Sequence, residues 1–176
     1  ALTSTGTGAW AQVAAGEGGM VAIDQTMPTN LYVSTGPGVS LAHCGKGVAC
    51  TAADFAGVAT VGETQVANDA ALVDAPLLLD PAAQGNVLVG TCRVWRGPAW
   101  SGSGWSSGNE LSAAFGGVRG GVCTAANPLV RSLGAGGPVS ASTAAVNAGS
   151  TVVYAGMAGG LDGGGTLGGH VFGTLA

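Results

Sequence analysis

Nine carboxylic side chains, five basic ones and two histidines carry the ionisable chemistry of this chain. Hydrolysis of a glycosidic bond uses two carboxyl groups at a set separation, one protonated and one ionised. Asp69 and Asp74 stand just ahead of the apolar run Leu77-Leu78-Leu79 and are the candidate catalytic acids. In an enzyme of that kind, Asp74 and a second acid would converge to within about 10 Å. Arg93 and Trp95 alternate along Gly90-Thr-Cys-Arg-Val-Trp95. If that run is a strand, the two share one face, with Cys92, Val94 and Arg96 on the other. An arginine beside an indole can serve as a platform for a sugar, so Arg93 and Trp95 are the candidate ligand-binding residues. The competing reading makes Trp95 core, with Arg93 stacked across it.

Four cysteines are present. Cys44 and Cys50 flank a Gly-Lys-Gly turn, which suits a disulfide at a hairpin tip in an exported protein. Zinc held by His43, Cys44 and Cys50 is the alternative, but a structural site takes four ligands, usually with Cys-x-x-Cys spacing. No metal or cofactor is expected. Four cysteines allow three pairings, of which Cys44–Cys50 with Cys92–Cys123 is preferred. Serine-nucleophile chemistry has no Gly-x-Ser-x-Gly elbow, and His43 and His170 have no evident partners. Gly16-Glu17-Gly18-Gly19 lacks the Lys-Ser/Thr of a phosphate loop. Gly159-Gly-Leu-Asp162-Gly is a single Gly-Asp motif, too little for calcium, which takes six or more oxygens.

The elements that would position these groups come from a repeat. Leu77-Leu78-Leu79 ends at Asp80-Pro81, and Asn86-Val87-Leu88-Val89-Gly90-Thr91 follows Gln84-Gly85. Apolar runs bounded by Asp, Pro, Gly and Asn read as a buried hairpin. Upstream, Val21-Ala-Ile-Asp24 and Asn30-Leu31-Tyr32-Val33-Ser34-Thr35 repeat it, with Asp24 on Asp80 and Asn30 on Asn86. A looser third copy lays Ser142 on Asp80 and Val152-Val153-Tyr154 on Val87-Leu88-Val89. The copies stand about 56 and 62 residues apart, a period that suits propeller blades. Asp24 and Asp80 are then structural turn residues, and Tyr32 and Tyr154 are core rather than nucleophiles. Residues 40–72 read as a long insertion, with Thr51 capping a short helical turn and Phe55 in the core. Val130-Arg131-Ser-Leu133 reads as an outer strand and His170-Val171-Phe172-Gly173-Thr174 as a strand.

Asp-Pro followed by Asn, then Val/Leu-Tyr/Leu-Val-Gly/Ser-Thr, resembles the blades of Asp-box (BNR) repeat β-propellers, a sialidase-like group. Asp74-Ala-Pro-Leu-Leu-Leu-Asp-Pro81 is similar to the Asp-x-Pro-Trp-x-x-x-Asp-Pro segment of its members, with Leu77 in the place of Trp. The Ser/Thr-x-Asp-x-Gly-x-x-Trp box is degraded: Trp100-Ser-Gly-Ser103-Gly104-Trp105 lacks the Asp, and Leu161-Asp162-Gly-Gly-Gly-Thr166 lacks the Trp. The resemblance implies an all-β chain of about three four-stranded blades of an incomplete β-propeller, units 10–72, 73–133 and 134–176. It implies a fragment of a secreted bacterial protein, extracellular or periplasmic and carbohydrate-directed, either glycoside hydrolase-like or glycan-binding. The alternative is a non-catalytic scaffold for protein or cell-surface contacts. Sialidase-like enzymes use a Tyr nucleophile and an Arg cluster, and that cluster cannot be assembled residue by residue here.

Bulk composition agrees with a packed β domain: 47% apolar and only 8% charged residues, against a usual quarter charged. With five basic residues and a net charge of −4, no basic stripe for nucleic acid is possible. No apolar run is long enough for a membrane span. A propeller closes with roughly four to eight blades. Three would therefore need the remaining blades of the same chain or a second copy as partner. An independent small β-sandwich is the other possibility.

Overall fold

The computed structural model describes residues 2–4, 10–14, 19–57, 59–117, 120–140, 148–157 and 169–175. Among these the chain is all-β, its one α-helix being the single turn α1 (Ala52–Phe55). A two-stranded sheet pairs β1 (Leu2–Ser4) with β2 (Trp10–Gln12). Sheet I runs β3 (Val21–Ile23), β4 (Leu31–Ser34), β5 (Ser40–Cys44), β6 (Val61–Gly62). Sheet II runs β7 (Leu77–Leu79), β8 (Asn86–Gly90), β9 (Val94–Pro98). Sheet III runs β10 (Val130–Val139), β11 (Ser150–Met157), β12 (Val171–Leu175). Every sheet is antiparallel with neighbours in chain order. Among the described residues they do not close into a ring.

The continuous apolar run of β8 follows from where sheet II sits. Alternate residues of a strand face opposite sides, and sheet II is covered on both. Val87 and Val89 pack with Tyr32, Leu41 and Val61 of sheet I, joined by Leu77 and Trp95. Leu88 and Val94 pack with Val130, Val153, Ala155 and Met157 of sheet III. The backbone ties the same order together. Gly38 N–H, in the turn before β5, donates to Val73 O just ahead of β7 (2.7 Å). Val130 N–H at the start of β10 donates to Thr91 O just after β8 (2.8 Å). Gly90 lies at this second junction, where a Cβ would sit 2.7 Å from Val130 Cγ1. That is closer than van der Waals contact allows, so only glycine fits.

Val21, Leu77 and Val139 each lie on a strand of a different sheet, but several details depart from the expectations. Residues 40–72 are not an insertion. They hold β5, α1 and β6, the outer part of sheet I, and β6 has only two residues, too short to leave an alternation in the sequence. Val130–Leu133 is the first part of β10 rather than an outer strand, so the unit boundary drawn at 133 falls inside a strand. Cys92 lies in the turn Thr91-Cys92-Arg93, closed by the Gly90–Val94 pair, and not within a strand.

The third copy is also displaced by one residue. Leu77 pairs with Val89 and Leu79 with Val87, just as Leu133 pairs with Ala155 and Ala135 with Val153. Val153-Tyr154-Ala155 therefore corresponds to Val87-Leu88-Val89. Tyr154 takes the place of Leu88 and, through Val21–Val33 and Ile23–Leu31, of Tyr32. A one-residue slip exchanges the two faces. Tyr154, expected in the core, is accordingly 53% exposed. Ser142, Asn147, Asp162 and Gly16–Gly18 lie outside the described residues.

Leu88 is the apolar plug between sheets II and III. Leu88→Ala is expected to cost about 2–5 kcal/mol in urea unfolding. Truncating exposed Met27 should change stability by no more than about 0.5 kcal/mol.

Candidate functional site

The turn after β8 folds back on itself: Thr91 N–H donates to Arg93 O (2.9 Å) and Arg93 N–H to Thr91 Oγ1 (3.1 Å). This points Arg93 into the protein. Its Nε lies 2.9 Å from Asp69 Oδ2, its Nη1 2.8 Å from Glu110 Oε2, and its Nη2 donates to Gly121 O. Asp69 also accepts from Trp95 Nε1 (2.9 Å) and Thr91 Oγ1 (3.1 Å). The Arg93 guanidinium carbon stands 5.6 Å from the Trp95 ring centroid. A buried charge must be paired and hydrogen-bonded, and here one arginine answers two carboxylates.

This arrangement corrects one expectation. Arg93 and Trp95 cannot act as a sugar platform, because both are buried and the indole faces Tyr32, Leu41 and Val61. The core alternative describes them. Asp69 is buried on Arg93, whereas Asp74 is exposed in a bridge to Gly38. The two candidate acids have different surroundings and different partners.

A second buried pair occupies the other face of β9. Arg96 Nε lies 3.0 Å from Asp80 Oδ2, and Arg96 Nη2 donates to Ser150 O (2.6 Å). Asp80 accepts from Ser150 N–H (2.8 Å) and Oγ (2.6 Å), at the first residue of β11. Burial pushes the Arg96 pKa down, and the Asp80 carboxylate works against that shift. Asn86 Nδ2 adds a bond to Ala148 O (2.7 Å). The corner Asp and Asn of sheet II therefore clamp sheet III. Asp80 also caps its own turn, accepting from Ala82 N–H (3.0 Å), whereas in sheet I Asp24 has the turn alone, accepting from Thr26 N–H (2.8 Å), Thr26 Oγ1 (2.6 Å) and Met27 N–H (3.0 Å). Burial opposes the charge on Asp24, but these bonds, with one from Asn30, hold its pKa below the usual range.

The cysteines form Cys44–Cys50 and Cys92–Cys123. Asp69 and the sulfurs of Cys92 and Cys123 lie within 4.8 Å of one another. Zinc binds thiolate, and both sulfurs are spent on each other, so this trio offers no donor set. His43 does not converge with Cys44 and Cys50 either. Its Nε2 lies 3.1 Å from Asn30 Oδ1 and its ring stacks on Tyr32. Burial pushes the His43 pKa down and raises the Tyr32 hydroxyl to about 12, with Asp24 adding to the latter shift. Asp54 is held at about 2 by Lys46 and by the amide and hydroxyl of Thr51, which it caps.

One accessible feature was missed in the sequence. Trp100 stands two residues past β9 and is 61% exposed. It walls a cleft of about 450 Å³ with Thr26, Gln84, Asn86 and Pro98. Its neighbour Trp105 lies flat on Gly97, where a Cβ would come within 2.5 Å of the ring, and donates to Pro98 O (3.1 Å). The degraded box holds two tryptophans, and only Trp105 has a place inside. That surplus was the available signal. No protein-family model, curated protein or solved structure matches this chain.

Removing Asp69 strips Arg93 Nε and the Trp95 N–H of their carboxylate and leaves Glu110 alone against a buried guanidinium. Asp69→Ala is expected to cost about 3–5 kcal/mol in denaturant titration, against no more than about 0.5 kcal/mol for Asp74→Asn. The pH response follows from His43 and Asp24, whose folded pKa values are both depressed. His43 contributes its stability above its unfolded pKa of about 6.5 and loses it as pH falls through the folded value. Asp24 does the same from about 3.9 downward. Urea midpoints should therefore decline in two steps on acidification, and His43→Gln should remove only the upper one.

Proposed function

We propose that this chain is a non-catalytic glycan-binding module of an extracellular, sialidase-like Asp-box propeller, with sheets I to III as successive blades. The observation that carries the binding assignment is Trp100, an exposed indole beside the amide of Gln84 and the hydroxyl of Thr26 in one cleft. An aromatic face takes the C–H side of a sugar ring, and a few convergent polar groups orient its hydroxyls. Serial packing of antiparallel sheets, each carrying the same hairpin, supports the blade reading. Two disulfides fit an oxidising compartment.

Most of the described carboxylates are committed to structure, and the two exposed ones, Asp74 and Glu63, flank Gly38. Asp69, Asp80 and Glu110 are buried against arginines, Asp24 caps a turn, and Asp54 is tied to Lys46 and Thr51. Among the described acids, only Asp74 and Glu63 are exposed. Arg93 and Arg96 are likewise committed inside, so the cleft is suited to neutral rather than acidic sugars.

Neutral gluco- and xylo-oligosaccharides titrated into the protein should perturb its tryptophan fluorescence, and sialyl-lactose should not. Trp100→Ala should abolish the response while leaving the thermal midpoint unchanged. Aryl glycosides and sialosides should not be turned over. Hydrolysis lost on Asp74→Asn would replace this reading with a catalytic one.

A further inference from the structure

Each strand-to-strand equivalence assigns a side. Tyr32 of sheet I, Leu88 of sheet II and Tyr154 of sheet III share one hairpin position and point toward whatever follows their own sheet. Tyr32 is 1% exposed under sheet II, and Leu88 is 0% exposed under sheet III. Tyr154 is 53% exposed. Its ring lies along Gly173 of β12, where a Cβ would fall 2.7 Å from the ring. Gly134, paired with Tyr154, and Gly136, two residues on, would meet nothing among the described residues with an added Cβ. The trailing face of sheet III is therefore an open apolar floor with one aromatic knob.

The leading face of sheet I is the matching half. In the junction between sheets I and II, Tyr32 lies among Leu77, Leu79 and Val87. The pairings make Val21, Ile23 and Leu31 the equivalents of those three residues. Val13 and Ala14 cover this face over β4 and β5. Over β3 it is bare, with Val21 50% and Ile23 49% exposed. One chain thus carries both halves of a junction that it already makes twice internally.

We propose that a second copy of this chain occupies these faces, head to tail. Tyr154 of one copy inserts over Val21 and Ile23 of the next, as Tyr32 inserts over Leu77 and Leu79. A head-to-tail contact builds a ring when its rotation closes. Two copies contribute six such sheets, within the roughly four to eight that close a propeller. This association does not depend on what the Trp100 cleft binds.

Light scattering and sedimentation equilibrium of the 176-residue chain are the test. A dimer that dissociates on dilution is expected. Tyr154→Asp and Val21→Asp should each abolish it, since a carboxylate would be buried without a partner. Both sites are half exposed in the single chain, so unchanged near-ultraviolet dichroism should show both variants folded. Val122→Asp, exposed beside the Cys92–Cys123 disulfide of sheet II, should leave the dimer intact. An equimolar mixture of the Tyr154 and Val21 variants should regain a weaker dimer, seen at higher concentration, because one of its two junctions has both halves intact while the other sets the two carboxylates together. A wild-type chain that is monomeric throughout overturns the proposal. So does a Val21→Asp variant that still dimerises alone, or a mixture that stays monomeric.

Discussion

Sheet II is buried on both of its faces, and much of the rest of the molecule is a consequence. A strand with one solvent face alternates apolar and polar residues, whereas one enclosed on two sides cannot. β8 therefore reads Val87-Leu88-Val89 with no polar break, and all three are buried. The same enclosure traps the arginines of the neighbouring segment. Arg93 emerges on the side of sheet I and Arg96 on the side of sheet III, neither with access to water. Each has its own acid on its own side: Asp69 with Glu110 for the first, Asp80 for the second. Removing one partner from such a pair is far more costly than the pair's net contribution. These carboxylates are consequently fixed by the position of the sheet.

The hairpin repeat shows how this constraint was met differently in each copy. Tyr32 pairs with His43 as Leu88 pairs with Arg96, so His43 stands where sheet II has its arginine. Sheet I thus has a ring in place of a permanent cation. The ring stacks on Tyr32 and bonds to Asn30, the counterpart of Asn86. Without an arginine to neutralise, Asp24 turns to the amides of its own corner. In sheet II the arginine draws Asp80 across to Ser150, and Gly149 beside it has no room for a Cβ against that carboxylate. One exchange at the third strand thus adds a clamp between sheets to the local cap, which Asp80 keeps through Ala82 N–H (3.0 Å).

The sequence made the hairpins of sheets I and II legible because Asp and Asn mark their corners at equal spacing, with turn residues between them. The third hairpin lacks those markers, and its apolar run Val152-Val153-Tyr154-Ala155 fits either register. Only pairing with β10 chose between them, reversing the inside and outside of Tyr154. β6 was hidden for a different reason, since two residues are too few to display a period. The three-residue turn holding Cys92 was hidden too, because Thr and Val on either side suit a strand equally well. Arg93 and Trp95 were placed correctly on a shared face, but which way that face looks is a property of the neighbouring sheet and has no local signature.

The two tryptophans after β9 carry this argument to the surface. An indole inside a β protein needs a small residue beneath it and an acceptor for its N–H; Gly97 and Pro98 O supply both to Trp105. Trp100 is left outside, next to the corner at Gln84 where the turns of sheets I and II meet through Gln25 N–H. With 8% of its residues charged, and most of the described acids committed to arginines or turns, this protein has little electrostatic means of recognition. What it presents instead is an exposed ring and uncharged amide and hydroxyl groups, seated where two rigid hairpin corners come together. On the glycan-binding proposal, such groups would discriminate by shape and hydrogen bonding rather than by charge.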